Sequence, residues 1–151
     1  MKLSTKSTYG LRAMLNIALR SDMGSTSIMD ISKNEGISVD YLEQLLNTLR
    51  RKGLIESIRG PKGGYILAKK PLQITVGDIV KALEGDIYPV HCVASHDDSG
   101  TTCKNSMGCV PKIVWFKLAK AISDCLESIT LRDLCVEANK IDTHSRMRRP
   151  S

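Results

Sequence analysis

Leu11, Met14, Leu15, Ala18 and Leu19 recur at i, i+3, i+4, i+7 and i+8, the spacing of one helix face. They predict a first helix that ends at Met23-Gly24-Ser25. Ser27-Ile28-Met29-Asp30 has the form of a capping box and starts a short second helix with Ile28 and Ile31 inward. Gly36 stops it, as a glycine just past a helix end does. Ser38 caps a third helix whose inner face is Leu42, Leu45, Leu46 and Leu49. Leu54 to Ile58 and Tyr65 to Leu67 are β-prone. Between them lies Arg59-Gly60-Pro61-Lys62-Gly63-Gly64, a glycine-rich basic hairpin tip.

Helix, glycine turn, helix and then a hairpin is the order of a winged helix-turn-helix. The chain is therefore expected to be mainly α with a small β-hairpin wing. In that architecture the third helix enters the major groove of DNA, and the wing lies along the backbone or the minor groove. After the break at Pro71, Thr75-Val76-Gly77-Asp78 caps a fourth helix holding Ile79, Val80 and Leu83, and Gly85 ends it. Pro111 suits the first turn of a long helix reaching to about Ile129. Trp115, Leu118, Ile122, Cys125 and Ile129 are spaced 3, 4, 3, 4 along it, a coiled-coil-like seam. Such a helix is expected to pack on its twin from a second chain, the alternative being its own domain. Thr130-Leu131-Arg132-Asp133 caps a last, short helix, and from about Lys140 the polar, basic chain is expected to be disordered.

Composition changes little in this picture. Of 151 residues 42% are apolar, enough for one core, and 4% are aromatic, so Leu, Ile, Val, Ala and Met must build it. Charge changes more. The net charge is +6, and it is unevenly placed. No acidic residue precedes Asp22, leaving Lys2, Lys6, Arg12 and Arg20 unopposed in sequence. From Arg50 to Lys70, seven Lys and Arg face Glu56 alone. A solvated face explains such runs equally well, but the second coincides with the wing and favours a nucleic-acid partner. Lys2 is followed by polar residues, and no apolar run approaches the roughly 18 residues of a membrane span. The expected location is the cytoplasm, with no membrane partner and no small-molecule substrate. There is no nucleophile–base pair, no paired carboxylate and no phosphate-binding loop; RGPKGG lacks the Lys-Ser/Thr ending of one. An enzyme is not expected.

The candidate DNA contacts follow from the faces. Ser38, Asp40, Tyr41, Glu43, Gln44 and Asn47 point away from the leucine face of the third helix. Gln44 can pair with adenine, and Glu43 can accept from cytosine. Ser38 serves equally well as a plain cap, and Tyr41 could equally touch a phosphate. In the wing, Arg59 is the candidate for groove insertion. Gly60, Pro61, Gly63 and Gly64 shape the tip for close approach, and Lys62 adds a phosphate contact. Tyr65 suits packing beneath the wing. Lys2 and Lys6 are candidate phosphate contacts beside it.

MKLSTKSTYGLRAML, ISVDYLEQLLNTLRRKGLIESIRGPKGGYIL and ITVGDIVKALEG, followed by a cysteine loop, resemble the Rrf-two family of bacterial transcription regulators. The resemblance runs from Met1 to about Glu137, and the family includes the iron–sulfur cluster regulator (IscR-like) branch. It implies a homodimeric repressor or activator bound to double-stranded operator DNA. The chain then divides into a DNA-binding domain (1–85), a cysteine-rich cofactor loop (86–110), a dimerisation helix with a short C-terminal helix (111–139) and a tail (140–151).

The loop holds Cys92, Cys103 and Cys109 at C-x₁₀-C-x₅-C among Gly, Ser, Asp and Thr. Cluster-bearing relatives carry three cysteines here, usually with a shorter first gap. Thiolates are the usual ligands of iron–sulfur clusters, and 2Fe-2S is expected before 4Fe-4S. In IscR-like members a histidine three positions past the last cysteine is the fourth ligand; here that position is Lys112. Another branch uses an acidic residue near the N-terminus, which this chain lacks. His91, His96, Asp97 and Asp98 are the remaining candidates. Zinc accepts the same donors, and thiols without metal are the third alternative. Cys125 and Cys135 fit packed apolar positions instead.

Overall fold

The computed structural model describes residues 3–90 and 109–147. In chain order these form α1 (Thr5–Leu19), a short 3-10 turn, α2 (Ile28–Glu35), α3 (Val39–Arg51), β1 (Ile55–Ile58), β2 (Gly64–Leu67), a 3-10 turn at Pro71–Gln73, α4 (Val76–Glu84), α5 (Lys112–Glu127) and α6 (Leu131–Met147). The caps stand where the sequence places them. The side-chain oxygens of Ser27, Ser38 and Thr75 accept from the backbone N–H three residues on, satisfying otherwise unpaired donors. Gly36 leaves α2 in the left-handed conformation (φ 64°), which sets the turn into α3.

The core is one cluster built around α1. Met14, Ile17, Ile31, Leu42, Leu46, Leu49, Ile55, Ile74, Ile79 and Leu131 are all under 2% exposed. The leucine face of α3 is inward as expected, with Leu42, Leu45, Leu46 and Leu49 buried. The face of α1 is the expected one only in part: Met14 and Ala18 are buried and Leu11 packs against the core. Its buried residues are Ser7, Gly10, Ala13, Met14, Asn16, Ile17 and Ala18, whereas Leu19 is 41% exposed. The reason is proximity. α1 packs against α2, α3, α4, α6 and β2 at once. A Cβ on Gly10 would lie 2.1 Å from Leu83 Cδ1. Small residues occupy the inside where helices meet most closely, and Leu11 and Leu15 fall to its half-buried flanks.

β1 and β2 pair antiparallel with Ile55 opposite Leu67 and Ile58 opposite Gly64. A third segment joins them. The Thr26 N–H donates to the Tyr65 carbonyl (2.9 Å), and the Tyr65 N–H donates to the Thr26 carbonyl (2.8 Å). Tyr65 is half-buried against the core, as expected of a residue beneath the wing.

α5 and α6 complete the chain. The Val76 N–H donates to the Ile129 carbonyl (2.8 Å) and the Leu131 N–H to the Ile74 carbonyl (2.9 Å). This pins the α5–α6 turn to the entrance of α4 and seats Leu131 in the core. α6 is not short: it runs 17 residues to Met147, past the Lys140 where disorder was expected. Its exposed end is polar and still helical, carried by a Lys140–Glu137 pair (2.9 Å) and by propagation from the docked first turns. Polarity there tracks solvent exposure, not loss of structure. Residues 148–151 lie outside the described part. Among the described residues no helix is long and apolar enough to cross a membrane.

Replacing Leu131 with alanine should lower the unfolding free energy by about 2–5 kcal/mol, since the side chain is wholly buried where three elements meet. Denaturant unfolding of the purified protein measures this. A loss of a few tenths of a kcal/mol would mean that α6 is not part of the cooperative core.

Candidate nucleic-acid interface

The elements predicted to touch DNA, α3, the wing and α1, pack against one another. α3 buries its leucines and leaves Ser38, Asp40, Glu43, Gln44 and Asn47 exposed. Ser38 is the cap: its Oγ accepts from the Tyr41 N–H at 3.3 Å. Tyr41 is half-buried and turned to α1, where its ring meets Tyr9 edge-on at 5.9 Å and its hydroxyl bonds Thr5 Oγ1 at 3.1 Å. At the other end of α3, Arg50 donates to Asn47 Oδ1 (2.9 Å) and to Ser57 Oγ of β1 (3.4 Å). The guanidinium thereby ties the helix to the wing, and sequence periodicity alone does not show it.

At the wing tip Arg59, Gly60, Pro61 and Lys62 are exposed, and Gly63 and Gly64 are half-buried. The last two glycines answer to the protein itself before any ligand. A Cβ on Gly63 would fall 2.5 Å from the Ile58 carbonyl, and one on Gly64 2.4 Å from the Thr26 carbonyl. The Ser25 hydroxyl donates to the Lys62 carbonyl, so the tip is fastened to the segment that leads into α2.

The structure also sorts the cations. Arg12 donates to Glu35 Oε2 (2.7 Å) and Arg20 to Asp30 (3.4 Å), so two charges unopposed in sequence are matched across α1 and α2. Among the described residues Lys6, Arg59 and Lys62 make no ion pair, and all three are exposed. With Arg51, Lys52, Lys69 and Lys70, likewise exposed and in none of these pairs, they are cations left for phosphate. Lys2 lies outside the described residues.

One carboxylate is set beside this edge. Glu84, the last residue of α4, accepts from the Ser4 backbone N–H (3.0 Å), the Ser4 hydroxyl and the Ser7 hydroxyl (2.7 Å). Burial disfavours its charge, but these hydrogen bonds outweigh that and hold the carboxyl below its usual range.

Of the three loop cysteines the described residues include Cys109 alone. It is half-buried just ahead of α5, its carbonyl accepting the Lys112 N–H at 3.2 Å. Lys112 extends its ammonium over Phe116, 5.5 Å from the ring centroid. Cys92, Cys103, His91, His96, Asp97 and Asp98 lie outside the described residues. Cys125 is exposed on this chain, on the helix expected to pack against a second copy. α5 buries no residue fully; Trp115, Ala119, Ile122, Ser123 and Leu126 are half-buried. Cys135 is half-buried, and that burial pushes its thiol pKa up.

A family model described as an iron-dependent transcriptional regulator, Rrf2, matches residues 3–137. The chain belongs to the Rrf2 family. It is 42% identical over 139 residues to the protein rrf2 of Nitratidesulfovibrio vulgaris, covering 92% of this chain and 90% of that protein. Among solved structures it resembles IscR of T. potens, with 41% identity, a TM-score of 0.72 and coverage of 91% and 88%. It also resembles CymR, described as the global cysteine regulator of B. subtilis, with 37% identity, a TM-score of 0.75 and coverage of 91% and 98%. This Rrf2 protein is thus a DNA-binding transcriptional regulator and not an enzyme, and its winged-helix architecture is shared with these relatives.

Substituting Gly64 with alanine should open the Thr26–Tyr65 pairing, because the new Cβ meets backbone atoms that cannot swing aside. The expected cost is about 1–3 kcal/mol, with helix content kept. Hydrogen exchange at the Thr26 and Tyr65 amides checks it; unchanged protection would mean that the wing absorbs the methyl group.

Proposed function

We propose that this Rrf2 regulator binds operator DNA as a homodimer and that an iron–sulfur cluster held by Cys92, Cys103 and Cys109 governs that binding. The observation that carries the reading is the donor set: three thiols within one Gly/Ser-rich segment of a chain whose family is described as iron-dependent. Three thiolates and one nitrogen or oxygen donor suit a cluster, with 2Fe-2S preferred, and they also suit zinc. His91, His96, Asp97 and Asp98 are the candidate fourth ligands. Such a cluster supplies sensitivity to iron supply, oxidants and nitric oxide. The protein works in the cytoplasm, where the DNA is. A second reading has one specific support, the likeness to CymR: the same thiols, without metal, respond to oxidation or to a partner protein.

The dimer reading is supported by α5. Ile113, Val114, Phe116 and Leu118 are 40–57% exposed on a helix with no buried residue, and a cavity of about 430 Å³ separates its Phe116 side from α4. Apolar side chains in that number ask for a cover. A two-fold dimer through α5 would present two α3 edges to a pseudo-palindromic operator, with half-sites one or more helical turns apart. In the DNA reading, Gln44 and Arg59 carry sequence preference. Glu43, Asp40 and Ser38 border the base edges, and Lys62, Lys6 and Lys2 contribute mainly charge.

Three measurements test this. Anaerobically purified protein should absorb in the visible and contain iron and sulfide, and Cys92→Ala, Cys103→Ala and Cys109→Ala should each lose them while Cys125→Ala should not. A colourless, iron-free wild type would leave the thiol reading standing in its place. Leu118→Glu should give monomers in sedimentation, and a variant that remains dimeric would move the interface off α5. Gln44→Ala should lose about 1–3 kcal/mol on the cognate duplex and much less on scrambled DNA. Lys62→Ala should weaken both alike and lower the salt slope by about one unit. The reverse pattern would make the wing the reader.

A further inference from the structure

α1 has no acidic residue in its first turn. A helix start favours negative charge, because its unpaired N–H groups and its dipole both point outward there. The anion comes instead from another helix. Glu84 closes α4 and spends one oxygen, Oε1, on three donors of Ser4 and Ser7. Ser4 is the N-cap of α1, and its own Oγ accepts from the Lys6 N–H. The position of that first turn therefore depends on a carboxylate 77 to 80 residues away in sequence. The apolar packing of α1 against the core begins at Tyr9, after this first turn.

What the first turn does next ties this to DNA. Thr5 Oγ1 bonds the Tyr41 hydroxyl, and Tyr9, one turn on, meets the Tyr41 ring edge-on with an interplanar angle of 83°. Arg12 lies over the opposite partner of that stack, 5.8 Å from the Tyr9 centroid. Tyr41 belongs to the first turn of α3, between Asp40 and the Glu43–Gln44 pair, and its N–H is bonded by the cap of that helix. The contacts run without a gap from the end of α4, through the start of α1, to the end of α3 expected to read bases.

We propose that Glu84 is a positioning residue for DNA reading: by fixing Ser4 and Ser7 it fixes Thr5, and through Thr5 and Tyr41 it sets where the first turn of α3 stands. Tyr41 acts within this strut as a holder and does not contact DNA itself. Lys6, on the same first turn of α1, is aimed by the same bonds. The inference builds on the assignment of α3 as the reading helix.

The test uses the full chain, purified anaerobically, with two probes: a duplex selected by the wild type from a random-sequence pool, and a scrambled duplex of equal length. Glu84→Ala should lower the preference for the selected duplex about tenfold, the size expected for hydrogen bonds to a charged group. Glu84→Gln keeps an oxygen acceptor in place and should recover most of that preference. Tyr41→Phe removes only the hydroxyl contact and should lose part of it. In the double variant the two losses should not add, since both act through one strut. Thr5→Val removes the same contact from the other side, and serves if Glu84→Ala does not fold. It should lower preference at an unchanged melting temperature. A Glu84→Ala protein that melts earlier but keeps its preference overturns the proposal, as do strictly additive losses or a Thr5→Val protein with full preference. Gln44→Ala separates the two levels. If it keeps full preference, the α3 assignment fails and the proposal with it; if it loses preference while Glu84→Ala does not, the proposal alone fails.

Discussion

The close approach of α1 and α4 at Gly10 is the constraint on which the rest of the molecule depends. Only a residue without a Cβ lets Leu83 reach the α1 backbone. With that contact made, α1 becomes the inner column on which α2, α3, α6 and the wing all lean. Interiors packed to this density change by discrete rearrangement and not by gradual deformation. The arrangement of α3 relative to the wing is therefore inherited from how α1 is held.

That dependence explains what the sequence discloses and what it hides. α3 was legible because its leucines, although they meet α1, α2, α4 and β1, all lie on one helix face, so one 3.6-residue period describes it. The caps at Ser27, Ser38 and Thr75 were legible because they are local chemistry, a side chain and an N–H three residues apart. α1 buries small and polar residues, Ser7, Gly10, Ala13 and Asn16, beside Met14 and Ala18, so its apolar stripe marked only part of its inner face and misplaced Leu19. The Thr26–Tyr65 pairing, the Arg12–Glu35 and Arg20–Asp30 pairs and the Arg50–Ser57 bond join residues of different elements and leave no periodic trace. α6 was read as short because its second half is polar, which indicates exposure and not the end of a helix.

The candidate site divides along the same line. The exposed side chains of α3 and the tip RGPKGG were visible as motifs, since a surface that meets another molecule is free of the core's demands. Gly63 and Gly64 were noticed for the right residue type, yet their first role is internal, against Ile58 and Thr26. Glu84 gave no signal at all: one acidic residue at a helix end is ordinary until Ser4 and Ser7 are seen beside it. The cysteine motif is conspicuous by composition, and of its members the described structure places Cys109, at the root of α5.

The paired backbone bonds between Val76 and Ile129 and between Leu131 and Ile74 have a mechanical meaning. They make the α5–α6 turn a fulcrum. α5 is then a lever of 16 residues, about 24 Å long, whose far end begins next to Cys109. A swing of about 5° at the fulcrum carries that end through roughly 2 Å, the scale of helix shifts that repack an interface. In the other direction the gearing is inverted: a 2 Å displacement beside Cys109 arrives at the base of α4 as a small rotation with large torque. The end of α5 beside Ile129 is thus the pinned one, and the end beside Cys109 has the longer travel.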